Sequence, residues 1–221
     1  MTAGALAGDD LALAQSLCDH GASLFRRGLS GGSSGNITAR LADGRFLVTP
    51  TGLSLGAMTP ADLAVLAPDG THQAGRRPSK EWPLHQAFYA TRPQTGAVVH
   101  LHSTYATAWS LLEGLDAGNV LPPVTPYAIM RLGKVALLPF FVPGDPAMGD
   151  AVRGLKGRHA AVLLANHGPV VSAPTLNAAV DGMEEFEETA KLLILTRGQP
   201  RRLLTEAEVA ALVARYDVEW T

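Results

Sequence analysis

Residues 37–49, ITARLADGRFLVT, read as two short strands, Ile37 to Leu41 and Arg45 to Thr49, folded back on each other through the turn Ala42-Asp43-Gly44. A hairpin pairs its strands antiparallel, which argues against a doubly wound parallel sheet. Before the hairpin, Leu13, Leu17, Gly21 and Leu24, flanked by Ala14, Cys18 and Phe25, carry helical spacing up to Arg27, with Gly28 as a stop. The stretch GLSGGSSGN at 28–36 is a Gly/Ser-rich loop. After the hairpin come a helix-cap signal at Thr59-Pro60 and a turn at Pro68-Asp69-Gly70. Ser79 is placed to cap a helix through Glu81, His85 and Tyr89 that Arg92-Pro93 ends.

Ala97 to Leu101 is a β-branched apolar run and is read as a core strand, followed by a helix from Thr104 to Leu112. Val135 to Leu138 and Ala161 to Leu164 are short buried strands separated by a helix after Asp145-Pro146. A long helix spans Thr175 to Arg197, closed by Gly198, and Thr205-Glu206-Ala207-Glu208 is a capping box opening a last helix. Strands and helices alternate irregularly, with no long parallel series. An α/β sandwich around a mostly antiparallel sheet, formed by residues 1–221 as one domain, is the expected architecture.

The balance of 18 Lys+Arg against 20 Asp+Glu, a net charge of -2, gives no general attraction to nucleic acid or to an anionic membrane. One cysteine, Cys18, excludes a disulfide framework and a cysteine-rich zinc module, and fits a reducing compartment. The start, MTAGALAGDDLALAQ, lacks a basic region and is broken by acids, so it does not read as a signal peptide. VALLPFFV and AAVLLA fall well short of the roughly 20 residues that span a bilayer. A soluble, cytoplasmic protein is expected.

Seven histidines stand against that single cysteine. His100 and His102 lie two apart at a strand end, so both imidazoles project from one face while Leu101 turns inward. That arrangement suits two ligands of one metal, or simply two polar residues closing a strand. His167, in Ala165-Asn166-His167-Gly168-Pro169, follows the apolar strand AVLLA and is a third candidate, the rival being a turn histidine bonded to local backbone. Three neutral imidazoles with an open fourth position form the pattern of a catalytic zinc.

Glu81, at a helix start, can act as acid/base and as a fourth ligand at rest, or merely complement the helix dipole. His85, at i+4 on the same helix face, is read as supporting that site or as structural. His20, His72 and His159 sit in polar or loop contexts and are expected at the surface. Ser33-Ser34-Gly35-Asn36, Thr49-Pro50-Thr51-Gly52 and Ser79-Lys80 offer N–H groups, hydroxyls and a cation to an anion, although such loops are commonly plain turns. No GxxxxGK[ST] loop is present, so the phosphate of a small sugar fits better than a nucleotide.

Taken together, SGNI at 34–37, TPTG at 49–52, PSKE at 78–81, HLH at 100–102 and NHG at 166–168 resemble the class II aldolase/adducin family in order and spacing, across nearly the whole chain. The resemblance implies a three-layer α/β/α sandwich, a homotetramer, and a divalent metal, normally Zn2+ with Mn2+ or Co2+ as substitutes. It carries the metal ligands onto Glu81, His100, His102 and His167, and phosphate binding onto Gly35, Asn36, Thr51, Gly52 and Ser79. Sugar-phosphate aldolases of the family usually carry two serines before the glutamate; here the second is Lys80. A fixed cation beside the metal suits a substrate carboxylate.

With TPYAIMRLGKV at 125–135 and PGDP at 143–146, the chain looks most like the branch that decarboxylates 3-oxo-tetronate 4-phosphates. The implied reaction holds the ketone oxygen on the metal, collects the departing electron pair as an enediolate, and protonates it to dihydroxyacetone phosphate. Glu81 would be the proton donor, Lys80 the carboxylate clamp, and Tyr127 and Arg131 candidates to reach a neighbouring subunit's site. The alternatives are an aldolase, epimerase or dehydratase on the same scaffold, a non-catalytic adducin-like interaction module, and a structural metal site.

Overall fold

The computed structural model describes residues 6–220. Helix α1 (Asp9–Arg26) precedes strands β1 (Asn36–Arg40), β2 (Phe46–Val48), β3 (Ala64–Leu66) and β4 (His72–Ala74). Next come α2 (Trp82–Thr91), β5 (Ala97–His100), α3 (Thr104–Ser110), α4 (Pro126–Leu132), β6 (Val135–Leu138) and α5 (Ala147–Gly154). Strands β7 (Ala161–Leu164) and β8 (Gly168–Ala173) and helices α6 (Leu176–Leu195) and α7 (Glu206–Tyr216) complete the chain. Among the described residues one sheet runs β4-β3-β2-β1-β5-β8-β7-β6. Its pairs are antiparallel except β6 with β7, whose crossover is α5.

Strand alternation sorts the side chains into two cores. Ala97, Val99 and Leu101 join one face with Leu17 and Leu24 of α1, Ala106 of α3 and Phe186 of α6. Val98 joins the opposite face with Leu84 and Phe88 of α2 and Met148 and Val152 of α5. Helices therefore cover both sides of a mostly antiparallel sheet, the expected three layers. No helix of the described residues is long and apolar enough to cross a membrane.

Several local expectations change. The helix expected from Ser79 begins at Trp82, because Pro83 suits a first turn where its missing N–H costs nothing. The Ser79 hydroxyl instead accepts the Glu81 N–H at 3.2 Å. Strand β8 was not anticipated, since Gly168-Pro169 reads as punctuation; at β8's start Gly168 pairs with Leu164 across the tight β7–β8 turn. Strands β3 and β4, three residues each, are too short to show a period, and α4 is short for the same purpose. His159, expected at the surface, is buried, with its Nδ1–H donating to the Lys134 carbonyl at 3.0 Å. His72 is exposed on β4, and His20 is partly exposed with its ring on Asn177.

Candidate active site

Sheet register builds the site. Asn36 at the start of β1 stands opposite His100 at the end of β5, and His100 stands opposite Val170 of β8 on the other side. The β7–β8 turn then returns His167 to the same end of the sheet. That turn places Asn166 at φ 57 and brings Gly168 against the preceding loop: a Cβ at 168 would lie 2.3 Å from the Leu101 carbonyl oxygen. A backbone atom cannot retreat as a side chain can, so Gly168→Ala should separate the two histidine segments. We expect it to cost about 1–3 kcal/mol and to lower bound metal, read by thermal melts and metal content.

His100 is fully buried, and its Nδ1–H donates to the Pro169 carbonyl at 2.8 Å, leaving Nε2 with a lone pair. His102 Nε2 lies 3.2 Å and His167 Nε2 3.4 Å from that atom. Glu81 is buried, with carboxylate oxygens 3.5 Å from Nε2 of His100 and of His167. Burial pushes the His100 imidazole down to about 3, and lowers His102 and His167 as well. Burial by itself would raise the Glu81 carboxyl, but the histidines and the Asn36 amide hold it below the ordinary range.

A cluster of lone pairs and one carboxylate, all within 4.8 Å of one another and buried except at His102, is repulsive unless a cation lies among them. Tetrahedral ligation with metal–nitrogen bonds near 2.05 Å would separate two nitrogens by about 3.3–3.4 Å. The observed imidazole spacings match that value, and nitrogen with carboxylate oxygen is the donor set of a divalent transition metal. The fit is to a divalent metal held by Glu81, His100, His102 and His167.

Beside these four side chains lies a cavity of about 240 Å³. Ser33 to Asn36, Pro50 to Gly52, Ser79 to Glu81, His102 and Pro143 line it, so all three anion loops of the sequence converge there. Backbone bonds stitch two of them together: Ser79 N–H to the Thr49 carbonyl at 3.0 Å and Thr51 N–H to the Arg77 carbonyl at 3.1 Å. The Thr51 N–H is thereby occupied, leaving its hydroxyl for a ligand. Gly35, at φ +78, is packed so that a Cβ would meet the Leu101 side chain at 2.9 Å and the His100 carbonyl at 3.0 Å.

Lys80 is exposed at the cavity, and its positive charge helps to lower His102 and His167. Its aliphatic stem rests on Gly144, where a Cβ would lie 3.1–3.3 Å from Cβ, Cγ and Cδ of the lysine. Pro143 and Gly144 are thus residues of this site that sequence reading tied to it only through a resemblance. Tyr127, exposed on α4, does not line this chain's cavity, and Arg131 is paired with Asp181 at 2.7 Å.

His85 is fully buried, and burial pushes its imidazole down to about 4. It bonds to Asn36 and Thr38 of β1, and Thr38 bonds in turn to Tyr89. Thr38 and Tyr89 were not anticipated, although a signal existed. Positions 36 and 38 share a strand face, and 81, 85 and 89 share a helix face. Glu187 of α6 was also unforeseen; its buried carboxylate accepts the N–H groups of Tyr105 and Ala106 at 2.8 Å each, fixing α3 directly after the His100–His102 segment.

The profile of the Class II Aldolase and Adducin N-terminal domain matches residues 15–194. The chain is 48% identical over 190 residues, 86% of its own length and 90% of the relative's, to 3-oxo-tetronate 4-phosphate decarboxylase of Escherichia coli K12. It is 32% identical over 209 residues, 92% of its length and 94% of the relative's, to L-fuculose phosphate aldolase of the same strain. Among solved structures it matches YgbL of Escherichia coli, with a TM-score of 0.91 and 44% identity, covering 93% of this chain and 99% of that one.

Proposed function

The chain belongs to the class II aldolase and adducin family, and from that premise we propose that it decarboxylates a 3-oxo-tetronate 4-phosphate to dihydroxyacetone phosphate and CO2. The observation that carries this reading is the cluster of three imidazoles and one carboxylate opening into a small cavity with Lys80 at its wall. A divalent metal bound by Glu81, His100, His102 and His167, which we assign as zinc with manganese or cobalt as substitutes, would polarise the substrate ketone as a Lewis acid. The loops around Gly35, Asn36, Thr51, Gly52 and Ser79 hold the phosphate, fixing the C3 ketone toward the histidines. Lys80 pairs with the C1 carboxylate.

Breaking the C1–C2 bond releases CO2 and leaves its electron pair on C2, delocalised into the C3 ketone as an enediolate. Glu81 then takes a proton from solvent and passes it to C2, directly or through water, completing dihydroxyacetone phosphate. The phosphate stays on C4 throughout, so the reaction needs no oxidant and no co-substrate beyond that proton. In our reading the chain is a single domain acting in the cytoplasm on a small phosphorylated sugar acid, not on nucleic acid or membrane. We read it as a homotetramer in which Tyr127 reaches toward a neighbouring subunit's cavity.

Incubation with D- and L-3-oxo-tetronate 4-phosphates and with fuculose 1-phosphate tests the reading. CO2 and dihydroxyacetone phosphate should appear together from one of the tetronate substrates. Aldehyde release from fuculose 1-phosphate without any CO2 from the tetronates would assign an aldolase instead. Lys80→Ser should weaken turnover of the carboxylate-bearing substrate by about ten- to a hundredfold, the scale of a lost charged hydrogen bond. Neutral sugar phosphates should change little; equal losses for both would remove Lys80 as the carboxylate clamp.

A further inference from the structure

A line of four buried hydrogen bonds joins β1 to α2 behind Glu81. Asn36 Nδ2 lies 2.7 Å from Glu81 Oε2, and Asn36 Oδ1 lies 2.5 Å from His85 Nε2. His85 Nδ1 lies 3.0 Å from Thr38 Oγ1, which lies 2.8 Å from the Tyr89 hydroxyl. Asn36, Thr38, His85 and Tyr89 are all buried, so water cannot substitute for a missing partner.

Both ends of the line impose one direction. A carboxylate only accepts, so the Asn36 amide must turn its NH2 to Glu81 and its carbonyl to His85. At the far end, Thr38 is the one hydrogen-bond partner of the buried Tyr89 hydroxyl among the described residues, so the Tyr89 hydrogen is paired only when Tyr89 donates to Thr38. The single Thr38 hydrogen then goes to His85 Nδ1, which must be the lone-pair nitrogen, and the ring hydrogen sits on Nε2, facing the Asn36 carbonyl. Reversing any one bond sets two donors or two acceptors against each other.

We propose that His85, held as its Nε2–H tautomer by Thr38 and Tyr89, is a positioning residue that locks the Asn36 amide with its NH2 toward Glu81, and so aims the Glu81 carboxylate for proton transfer. An asparagine amide is nearly symmetric in shape, so packing alone does not choose between its two orientations; a fixed donor on its carbonyl does. Without that donor Asn36 can flip, presenting a carbonyl to Glu81 and driving the carboxylate away from its place.

The directionality stands on geometry alone, whereas its kinetic consequence rests on the decarboxylase reading. Two measurements therefore separate them. In protein with nitrogen-15-labelled histidine, the resonances that vanish in His85→Gln should be those of a ring with bare Nδ1 and protonated Nε2. A protonated Nδ1, or a mixture of tautomers, would overturn the proposal whatever the enzyme's substrate.

The second measurement is kinetic. Thr38→Val keeps the shape and removes the hydroxyl, while Thr38→Ser keeps the hydroxyl and removes a methyl. Thr38→Val should lower kcat by about ten- to a hundredfold, the usual scale for a partner behind the reacting group, with KM little changed, and Thr38→Ser should restore most of it. A packing role predicts the opposite order, and full turnover in Thr38→Val would sink the lock.

Discussion

The variant His102→Ala is expected to lose its divalent metal and, with it, all measurable turnover, while remaining folded. His102 is exposed to the cavity, so its removal leaves no void in either core. What it removes is the Nε2 atom 3.2 Å from that of His100, which itself lies 3.4 Å from that of His167, and two imidazoles with a carboxylate hold a divalent ion less tightly than three do. His100→Ala should give the same chemical loss with a stability cost added. Its imidazole is fully buried, so truncation opens a void and leaves the Pro169 carbonyl with only the Leu101 N–H at 3.3 Å, at a cost of about 1–3 kcal/mol. Metal content after dialysis, turnover and thermal melts read the three quantities separately. Full turnover in metal-free His102→Ala would remove the metal from the mechanism, and no metal loss in either variant would remove the histidines as ligands.

Glu81→Gln is expected to lower turnover by about 10²- to 10⁴-fold, the range spanned by general acid–base groups, with the fold intact. The substitution preserves shape, and the Asn36 NH2 can still donate to the new side-chain oxygen at the position now 2.7 Å away. Burial alone would favour a neutral side chain here, but the histidines and the Asn36 amide outweigh it, so the melting temperature should hold or fall slightly. Three imidazoles remain to keep metal in place, and substrate binding through the phosphate loops should persist. Turnover collapsing while metal and KM stay near wild type identifies Glu81 as the proton carrier. Wild-type turnover would exclude it, and loss of metal along with turnover would make it chiefly a ligand.

These variants rest on residues that were recognisable one at a time. The two-residue spacing of His100 and His102 and the apolar run before them suggested both rings on one strand face; in the structure β5 ends at His100, and His102, just beyond it, still brings its Nε2 to 3.2 Å from that of His100. Glu81 was legible as a residue at a helix start, but its direction was not. As a first-turn carboxylate it had a bland reading, complementing the helix dipole; in the structure it is the residue before α2 and turns to His100 and His167. Lys80 was legible as a cation beside that glutamate, whereas Gly144, which supports its stem, lies 64 residues further along (144 − 80) and carries no local mark of the contact.

Local geometry is what a sequence encodes directly, because side chains repeat every two residues on a strand and every 3.6 on a helix. From that alone followed the hairpin after Asn36, the antiparallel character of the sheet, the nearness of His100 and His102 at the end of β5, and the helix face shared by Glu81 and His85, while the single cysteine excluded a cysteine-rich site. The meeting of His167 with His100, of Asn36 with Glu81, and of Thr38 with both His85 and Tyr89 was decided by tertiary structure. Each joins segments that no local period connects, through the register of β1, β5 and β8 and the packing of α2 on one sheet face. Only that packing brings the Asn36 amide, which has no preferred orientation of its own, between an acceptor and a donor that choose one for it.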